Sequence, residues 1–244
     1  MKNIIVIPAR YNSQRLKGKV LLELKGKTIL EWVLEKASKS KLAHDIVVAT
    51  EDIRVYEHVE KLGYRCFLTS NEHKSGTDRI SEVLYKLSEH YYIVNLQADE
   101  PFIEPKIIDS IFEKLHVDKE AHIITPVAKI RDEKEVNNPN IVKVVFDKNF
   151  FAIYFSRSAI PYNRSGNAVY YKHIGIYGYK RDSLFSFVNL SASKLEETEG
   201  LEQLRAIENG LKIRCILVNY DGISIDTIQD LEKARVILEN GRDL

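Results

Sequence analysis

Strand signals and helix signals alternate along the first half of the chain, and this alternation restricts the fold more than any other feature. The short apolar runs at 4–7 and 46–49 are typical of buried strands. Between them, Thr28 begins a segment whose apolar residues recur at helical spacing over 29–37. A strand–helix–strand order predicts an α/β fold with a mostly parallel, doubly wound sheet.

The same order continues towards residue 100. Asp52 is predicted to begin a second helix, which Gly63 ends, and a strand follows at 64–69. Thr77 is predicted to cap a third helix, which leads into a strand at 91–96.

The pattern changes near residue 130, where a charged, turn-rich segment precedes two β-branched and aromatic runs. We predict a hairpin from strands at 141–146 and 151–155 with its turn at 147–149. The remaining predicted elements are a strand at 173–179, a helix at 195–209, a strand at 212–218 and a helix from about 227 to 239. We therefore expect a single domain, 1–244, with an antiparallel insertion at approximately 130–180 that forms a subdomain, an edge or a dimer surface.

Composition and charge exclude several classes of protein. The chain has 44% hydrophobic and 29% charged residues, which is typical of a globular protein, and no segment is apolar over the ~20 residues of a membrane span. The net charge of +1 gives no broad basic surface for nucleic acid. Met1, Lys2 and Asn3 lead directly into a strand without a secretory signal, so we expect a cytoplasmic protein. Cys66 and Cys215 stand in apolar runs and are predicted to be buried thiols.

A loop rich in positive charge follows the first predicted strand. This segment, PARYNSQRLKGK at 8–19, is called the cation loop and carries four cations: Arg10, Arg15, Lys17 and Lys19. Because ligands of open α/β sheets bind beyond the carboxyl ends of the strands, the loop favours a polyphosphate site over an ordinary solvated loop.

Two further segments suit a nucleotide and its metal ion. KSGTDR at 74–79 offers backbone amides and hydroxyls at a helix N-terminus, although simple capping by Thr77 explains it equally well. NLQADEPFI at 95–103 ends the fourth predicted strand, where Asp99 could hold Mg²⁺ against phosphates or merely form a turn. Asp226 could cap the last helix or supply a second carboxylate.

A fourth, more dispersed group is ambiguous. His173 and Tyr177 would share one face of an extended strand, while Arg157 follows a predicted strand and Glu202 and Gln203 lie on a predicted helix. Taken singly, His173 is more often structural, and Glu202 and Gln203 are more often part of a solvated helix face.

Familiar catalytic motifs are missing from the sequence. Gly26-Lys27-Thr28 imitates the end of a P-loop, but Leu21 stands where its first glycine is required. The absence of GxGxxG, HExxH and GxSxG strings removes the usual support for dinucleotide oxidoreductases, zinc proteases and serine hydrolases.

Taken in order, eight strings resemble the family of 3-deoxy-manno-octulosonate (KDO) cytidylyltransferases, also called CMP-KDO synthetases, over essentially the whole chain. They are PARYNSQRLKGK, HKSGTDRI, NLQADEP, NPNIVKVVFD, YFSRSAIPY, HIGIYGY, LEETEGLEQLRAIENG and IDTIQDLEKAR. The first is shared with related sugar-acid cytidylyltransferases, whereas SGTDR together with SR-IPY, HIGIY and LEQLR is specific to the KDO branch.

The resemblance implies a nucleotide-diphospho-sugar transferase fold, a homodimer, dependence on Mg²⁺ and a role in lipopolysaccharide synthesis. It implies that Arg15, Lys19, Asp99 and Asp226 carry the reaction, with Asp99 and Asp226 as metal ligands. The implied nucleotide-binding residues are Pro8, Ala9, Arg10, Arg15, Lys19, Ser75, Gly76, Thr77, Asp78 and Arg79. The implied sugar-acid contacts are Gln97, Arg157, His173, Tyr177, Glu202 and Gln203.

Two positions depart from the pattern of the family. Lys17 stands where the family usually has Pro, and Ala98 stands where it usually has Gly. Neither change removes a charged group, so the expected reaction remains the transfer of CMP from CTP to the anomeric 2-hydroxyl of KDO, with release of pyrophosphate. The alternatives are a cytidylyltransferase for a related acid, such as an amino-KDO or a nonulosonic acid, and a non-catalytic nucleotide-binding protein.

Overall fold

The computed structural model of the chain describes residues 1–13 and 15–239. A single turn of 3₁₀ helix spans Lys19–Leu21. The other elements up to residue 117 are β1 (Lys2–Pro8), β2 (Glu23–Leu24), β3 (Lys27–Thr28), α1 (Ile29–Ser38), β4 (Asp45–Thr50), α2 (Ile53–Lys61), β5 (Arg65–Leu68), α3 (Gly76–Lys86), β6 (His90–Asn95) and α4 (Pro105–Val117).

The rest of the chain contains shorter helices and mixed strands. These elements are β7 (Ile123–Lys129), α5 (Glu133–Val136), β8 (Lys143–Phe146), β9 (Ala152–Ser156), β10 (Tyr171–His173), β11 (Tyr177–Lys180), α6 (Arg181–Val188), α7 (Lys194–Glu199), α8 (Gln203–Glu208), β12 (Ile213–Leu217) and α9 (Ile228–Glu239). The chain forms two compact units. The first contains Met1–Phe112 and the segment that begins at Asp221, and the second contains Glu113–Tyr220.

The first unit is built on a parallel sheet, as the sequence predicts. Its strands lie in the order β5-β4-β1-β6, and all three neighbouring pairs are parallel. Ile4, Ile5, Val6 and Ile7 of β1 are fully buried at the centre of this sheet. A buried central strand of this kind requires the continuous apolar run that the sequence shows.

The second unit contains the predicted antiparallel strands. β7 pairs with β12 in parallel and with β10 and β11 in antiparallel orientation. β8 pairs with β9 as the predicted hairpin, which turns through residues 147–150. The Asp147 carboxylate accepts hydrogen bonds from the backbone of Asn149 and Phe151, which explains why the turn forms there.

Two helix predictions require correction. α3 begins at Gly76 because Ser75, rather than Thr77, is its cap: the Ser75 hydroxyl accepts from the Asp78 amide, and the Asp78 carboxylate accepts from the Ser75 amide. The helix predicted at 195–209 is in fact two helices, α7 and α8. Gly200 takes a left-handed conformation (φ 62°), and the carbonyls of Glu199 and Gly200 accept from Arg157 instead of continuing the helix.

The strand predicted at 173–179 is also interrupted. It forms β10 and β11, and residues 174–176 turn between them. The Thr125 hydroxyl donates to the Ile176 carbonyl (2.8 Å), and the Ile176 amide donates to the Ile174 carbonyl (2.7 Å), so this stretch does not pair as a continuous strand. His173 and Tyr177 therefore lie on two strands rather than on one.

Two expectations from composition can be compared with the structure. Within residues 1–13 and 15–239, the helices are all too short or too polar to span a bilayer. Cys66 and Cys215 are buried free thiols, as predicted, and burial raises the pKa of each to about 12. Both thiols are thus protonated at neutral pH.

Candidate functional site

A polar cleft of about 420 Å³ lies in the first unit, at the carboxyl end of its sheet. β1 and β6 are parallel neighbours, and the Leu96 amide donates to the Val6 carbonyl where both strands end. The loops that follow the two strands are therefore adjacent, as expected for a ligand site of an open α/β sheet. The cleft is lined by Pro8, Arg10, Asn12, Ser13, Arg15, Lys19, Val20, Lys74, Ser75, Gly76, Gln97, Ala98, Asp99 and Asp226.

Charged side chains from three distant segments meet in this cleft. The Lys19 ammonium lies 2.5 Å from an Asp99 carboxylate oxygen and 2.8 Å from an Asp226 oxygen. The guanidinium of Arg15 lies 2.8 Å from the other oxygen of Asp226. The Ile225 amide also donates to the Asp99 carbonyl (2.9 Å), which brings the segment before α9 against the loop after β6. The structure thus brings together the four residues to which the resemblance assigns the reaction.

The balance of charge in this cluster is visible in Lys19. Burial by itself disfavours the ammonium, but attraction to Asp99 and Asp226 outweighs it and holds the pKa of Lys19 above its ordinary value. Lys19 is only 9% exposed, so its charge is fixed in position rather than mobile in solvent. A fixed cation beside two carboxylates is a preorganised electrostatic environment.

The predicted nucleotide-binding residues divide into two groups. Pro8, Arg10, Ser75 and Gly76 line the cleft with Arg15 and Lys19. The start of α3 lies directly against the end of β1, because a Cβ built on Gly76 would be 3.2 Å from Pro8 Cγ. The second group, Ala9, Thr77, Asp78 and Arg79, does not line the cleft.

Members of the second group support the walls of the cleft. Asp78 completes the cap of α3. Arg79 is 1% exposed, and its guanidinium lies 3.2 Å from Glu51 and donates to the Thr69 hydroxyl. Arg10, which does line the cleft, donates to the His73 carbonyl (2.5 Å) and so joins the cation loop to the segment before α3.

Some cleft residues were not singled out from the sequence. They are Asn12, Ser13, Val20 and Lys74. All four stand inside or beside the motifs already recognised, so their position in those loops was the available signal. Lys74 adds a further cation to the same cleft.

Four of the predicted sugar-acid contacts lie in the second unit, at the ends of β10 and β11 and at α8. The rings of His173 and Tyr177 are 5.3 Å apart, and His173 Nε2 lies 3.0 Å from the Thr125 hydroxyl. Burial lowers the pKa of His173 to about 3, which leaves the imidazole neutral, and burial beside Glu202 raises the pKa of Tyr177 well above its usual value. Gln203 is 4% exposed. The arrangement offers neutral hydrogen-bonding groups together with one carboxylate.

The two remaining predicted contacts have different surroundings. Arg157 is in the second unit and donates to the backbone carbonyls of Glu199, Pro139 and Gly200. Gln97 is in the first unit, where it lines the cleft and donates to Asn95 Oδ1 (2.9 Å). Arg157 therefore organises the turn between α7 and α8, whereas Gln97 faces the cleft.

The donor set of the cleft fits a magnesium ion. Asp99 and Asp226 present carboxylate oxygens to one shared cation, the Lys19 ammonium. Mg²⁺ is usually bound by one or two carboxylates with phosphate and water completing its shell, so two carboxylates are sufficient. Among residues 1–13 and 15–239 there is no group of three or more Asp, Glu, His or Cys side chains arranged to hold a metal. An ion held by Asp99 and Asp226 would therefore also need oxygens from phosphate and water.

Comparison with known proteins gives a consistent result. A family model described as cytidylyltransferase matches residues 4–213. A 3-deoxy-manno-octulosonate cytidylyltransferase of Fusobacterium nucleatum is 47% identical over 96% of this chain and 95% of that protein. Its counterpart in Thermodesulfovibrio yellowstonii is 47% identical over 98% of both chains.

A solved structure extends the likeness to three dimensions. It is a CMP:2-keto-3-deoxy-manno-octonic acid synthetase complexed with CTP, and it superposes with a TM-score of 0.94 at 40% identity, over 99% of this chain and 100% of the other. The expected nucleotidyltransferase fold is thereby confirmed. The matched family model, the identities and the shared fold together place this chain in the 3-deoxy-manno-octulosonate cytidylyltransferase family of nucleotidyltransferases.

Proposed function

We propose that this protein transfers CMP from CTP to the anomeric 2-hydroxyl of KDO, giving CMP-KDO for lipopolysaccharide synthesis and releasing pyrophosphate. The observation that carries the proposal is the meeting of Arg15, Lys19, Asp99 and Asp226 in one cleft at the carboxyl end of a parallel sheet. Such a group of cations and carboxylates suits phosphoryl transfer, in which the protein mainly positions groups and stabilises charge.

The triphosphate is proposed to lie against the cation loop and the start of α3. Arg10, Arg15 and Lys74 line this part of the cleft, and Ser75 and Gly76 bring the N-terminal end of a helix to it. The Lys19 ammonium has three N–H donors, of which two point to Asp99 and Asp226. A third can reach a phosphate oxygen. Arg15 and Lys19 would thus stabilise the negative charge that builds up on departing pyrophosphate.

Asp99 and Asp226 are the residues that would hold Mg²⁺. When bound there, the ion supplies charge neutralisation on the phosphates and lowers the pKa of a hydroxyl brought to it. The protein's own part is to keep both carboxylates facing the same point. Lys19 and Arg15 do so by direct ion pairing.

The sugar acid is proposed to be recognised by neutral hydrogen-bonding groups and a carboxylate. In the second unit these are His173, Tyr177, Glu202 and Gln203, with Arg157 as the candidate cation for the substrate carboxylate. Gln97, which lines the cleft, is also proposed to contact the sugar acid. We further propose that the protein acts as a homodimer in the cytoplasm, as the resemblance implies.

Release of pyrophosphate provides the direct test. CTP, UTP, ATP and GTP are each combined with KDO, an amino-KDO and a sialic acid in the presence of Mg²⁺, and pyrophosphate is followed with a coupled assay. We expect turnover with CTP and KDO to exceed every other combination. Preference for another acid would favour the related cytidylyltransferase, and no release with any acid would favour a non-catalytic nucleotide-binding protein.

A further inference from the structure

Two backbone hydrogen bonds within the cation loop share one acceptor, the carbonyl of Tyr11. The carbonyl of Tyr11 accepts hydrogen bonds from the amides of Ser13 (3.0 Å) and Gly18 (2.7 Å). Residue 18 is thereby brought back beside residue 11. The segment between them carries Arg15, and Lys19 follows directly, so the positions of two cleft cations depend on this closure.

The ring of Tyr11 is in close contact with two other residues, Gly18 and Arg54. A Cβ built on Gly18 would lie 3.1 Å from two atoms of the ring, and Gly18 has φ +70°, so the loop passes close to the ring at a residue without a side chain. The Arg54 guanidinium lies 3.5 Å from the centre of the same ring. Arg54 is itself fixed by two hydrogen bonds to the Asp52 carboxylate (2.8 and 2.6 Å).

The backbone amide of Tyr11 is bound by Glu51, which belongs to a buried ion pair. The Tyr11 amide donates to the Glu51 carboxylate (3.0 Å), whose second oxygen lies 3.2 Å from Arg79. The side chains of Glu51 and Arg79 are only 9% and 1% exposed, so this ion pair is shielded from solvent. Tyr11, Glu51 and Arg54 are all outside the set of residues that line the cleft.

We propose that Tyr11 is a positioning residue for the triphosphate of CTP, and that Glu51 and Arg54 hold it in place. The inference rests on the proposed placement of the triphosphate against the cation loop. These three residues touch no substrate; they fix the loop so that Arg15 and Lys19 face the cleft before CTP arrives. Preorganisation of this kind improves binding and transition-state stabilisation without adding a contact.

Tyr11→Ala is the principal variant, because it removes the ring and leaves the backbone hydrogen bonds available. We expect the KM for CTP to rise by about tenfold or more, since small misplacements of charged groups are costly, while the KM for KDO stays within about twofold. Inorganic tripolyphosphate should lose potency as a competitive inhibitor to the same extent as CTP loses affinity. Tyr11→Phe keeps the ring and is expected to behave as the wild type.

Arg54→Ala is a second variant for the case that Tyr11→Ala folds poorly. The Arg54 side chain is 53% exposed, so its removal should leave the fold intact. Its loss should raise the KM for CTP about threefold, the size expected of an exposed cation–π contact. Arg65→Ala is the matched control, since Arg65 is an exposed arginine 5.1 Å from the Phe67 ring and lies outside the cleft lining. Glu51→Asp retains the negative charge but shortens the side chain that reaches the Tyr11 amide, and should also raise the KM for CTP.

Arg15→Ala separates this inference from the proposed function. If Arg15→Ala raises the KM for CTP but Tyr11→Ala and Arg54→Ala leave it within about twofold of wild type, the positioning role is wrong and the triphosphate placement stands. An unchanged KM for CTP in Arg15→Ala would overturn both. An equal rise in the KM for CTP and for KDO in Tyr11→Ala would indicate a general structural defect and would also overturn the positioning role.

Discussion

Asp99 and Lys19 form the shortest charged contact in the cleft, and the role of Asp99 can be tested without changing its shape. Asp99→Asn retains the volume of the side chain but removes the charge that faces Lys19 and, in the proposed function, the metal. We expect pyrophosphate release at saturating CTP and KDO to fall by at least about a hundredfold, because the loss of metal-assisted charge stabilisation is worth several kcal/mol.

Glu57→Gln is the control for Asp99→Asn. Glu57 is an exposed acid on α2 of the same unit, and its neutralisation should leave turnover unchanged. Circular dichroism should be the same for both variants. Near-normal turnover of Asp99→Asn would remove Asp99 from the proposed metal site.

Arg157 presents a different case, because its guanidinium already has three backbone partners in the second unit. Arg157→Ala should raise the KM for KDO well above any change in the KM for CTP, through loss of the cation and loosening of the turn that leads to Glu202 and Gln203. Steady-state kinetics with each substrate varied in turn provide the measurement. Arg164→Ala, at an exposed arginine of the same unit, should change neither KM, and a larger effect on CTP than on KDO would reassign Arg157.

At the scale of elements, Asp118 connects the end of α4 to β12. Its carboxylate lies 2.7 Å from Arg214 of β12 and 3.7 Å from Lys114 of α4, and it accepts from the amides of Glu120 and Ala121. Although burial acts in the opposite direction, the hydrogen bonds from Arg214 and these amides lower the pKa of Asp118 to about 2. The side chain is 4% exposed, so solvent screens these interactions little.

This depressed pKa predicts the acid dependence of stability. Because the folded pKa is below the unfolded value, Asp118 contributes fully above about pH 4 and its contribution is lost as the pH falls towards about 2. Asp118→Asn should lower the free energy of unfolding by about 2 kcal/mol at pH 7 and by much less near pH 2. Urea unfolding at both pH values measures this. Glu120→Gln, at an exposed neighbour paired with Lys212, should have little effect, and equal losses for the two variants would contradict the prediction.

Several element boundaries that depend on contacts between near neighbours were predicted, although the cap of α3 was assigned to Thr77 instead of Ser75. The caps at Thr28 and Asp52 were predicted because a capping side chain bonds to an amide only a few residues away. The division of 195–209 into α7 and α8 could not be predicted in this way. Besides the left-handed Gly200, it involves Arg157, which is more than forty residues distant from Glu199 and Gly200 in the sequence but donates to both carbonyls.

At the scale of the whole molecule, the predicted feature is the number of chains in the assembly. The resemblance implies a homodimer, and the second unit exposes the apolar or aromatic side chains of Ile153 (58%) and Tyr162 (89%). Size-exclusion chromatography with light scattering is expected to give about twice the chain mass of 28.1 kDa at micromolar concentration. A mass equal to one chain across the concentrations used for activity would contradict the dimer.

The sequence patterns do not mark where one compact unit of the chain ends and the other begins. We expected one domain with an insertion at approximately 130–180, whereas the second compact unit extends over Glu113–Tyr220 and the chain then returns to the first. The return brings Asp226 to the cleft. From sequence alone, Asp226 could equally have been a helix cap, but Thr227 and Asp230 perform that task at the start of α9.

The sequence by itself determined which chemical groups stand at the ends of which strands: cations after β1, a carboxylate after β6 and the polar residues 74–79 before a helix. These properties depend on periodicity and on contacts between near neighbours, which a linear pattern contains. Only the tertiary structure decided that Asp226 joins Lys19, that Arg79 is buried against Glu51, and that Glu51 and Arg54 hold Tyr11. Those contacts join residues far apart in the chain, and they exist only after the packing of the whole unit has brought the segments together.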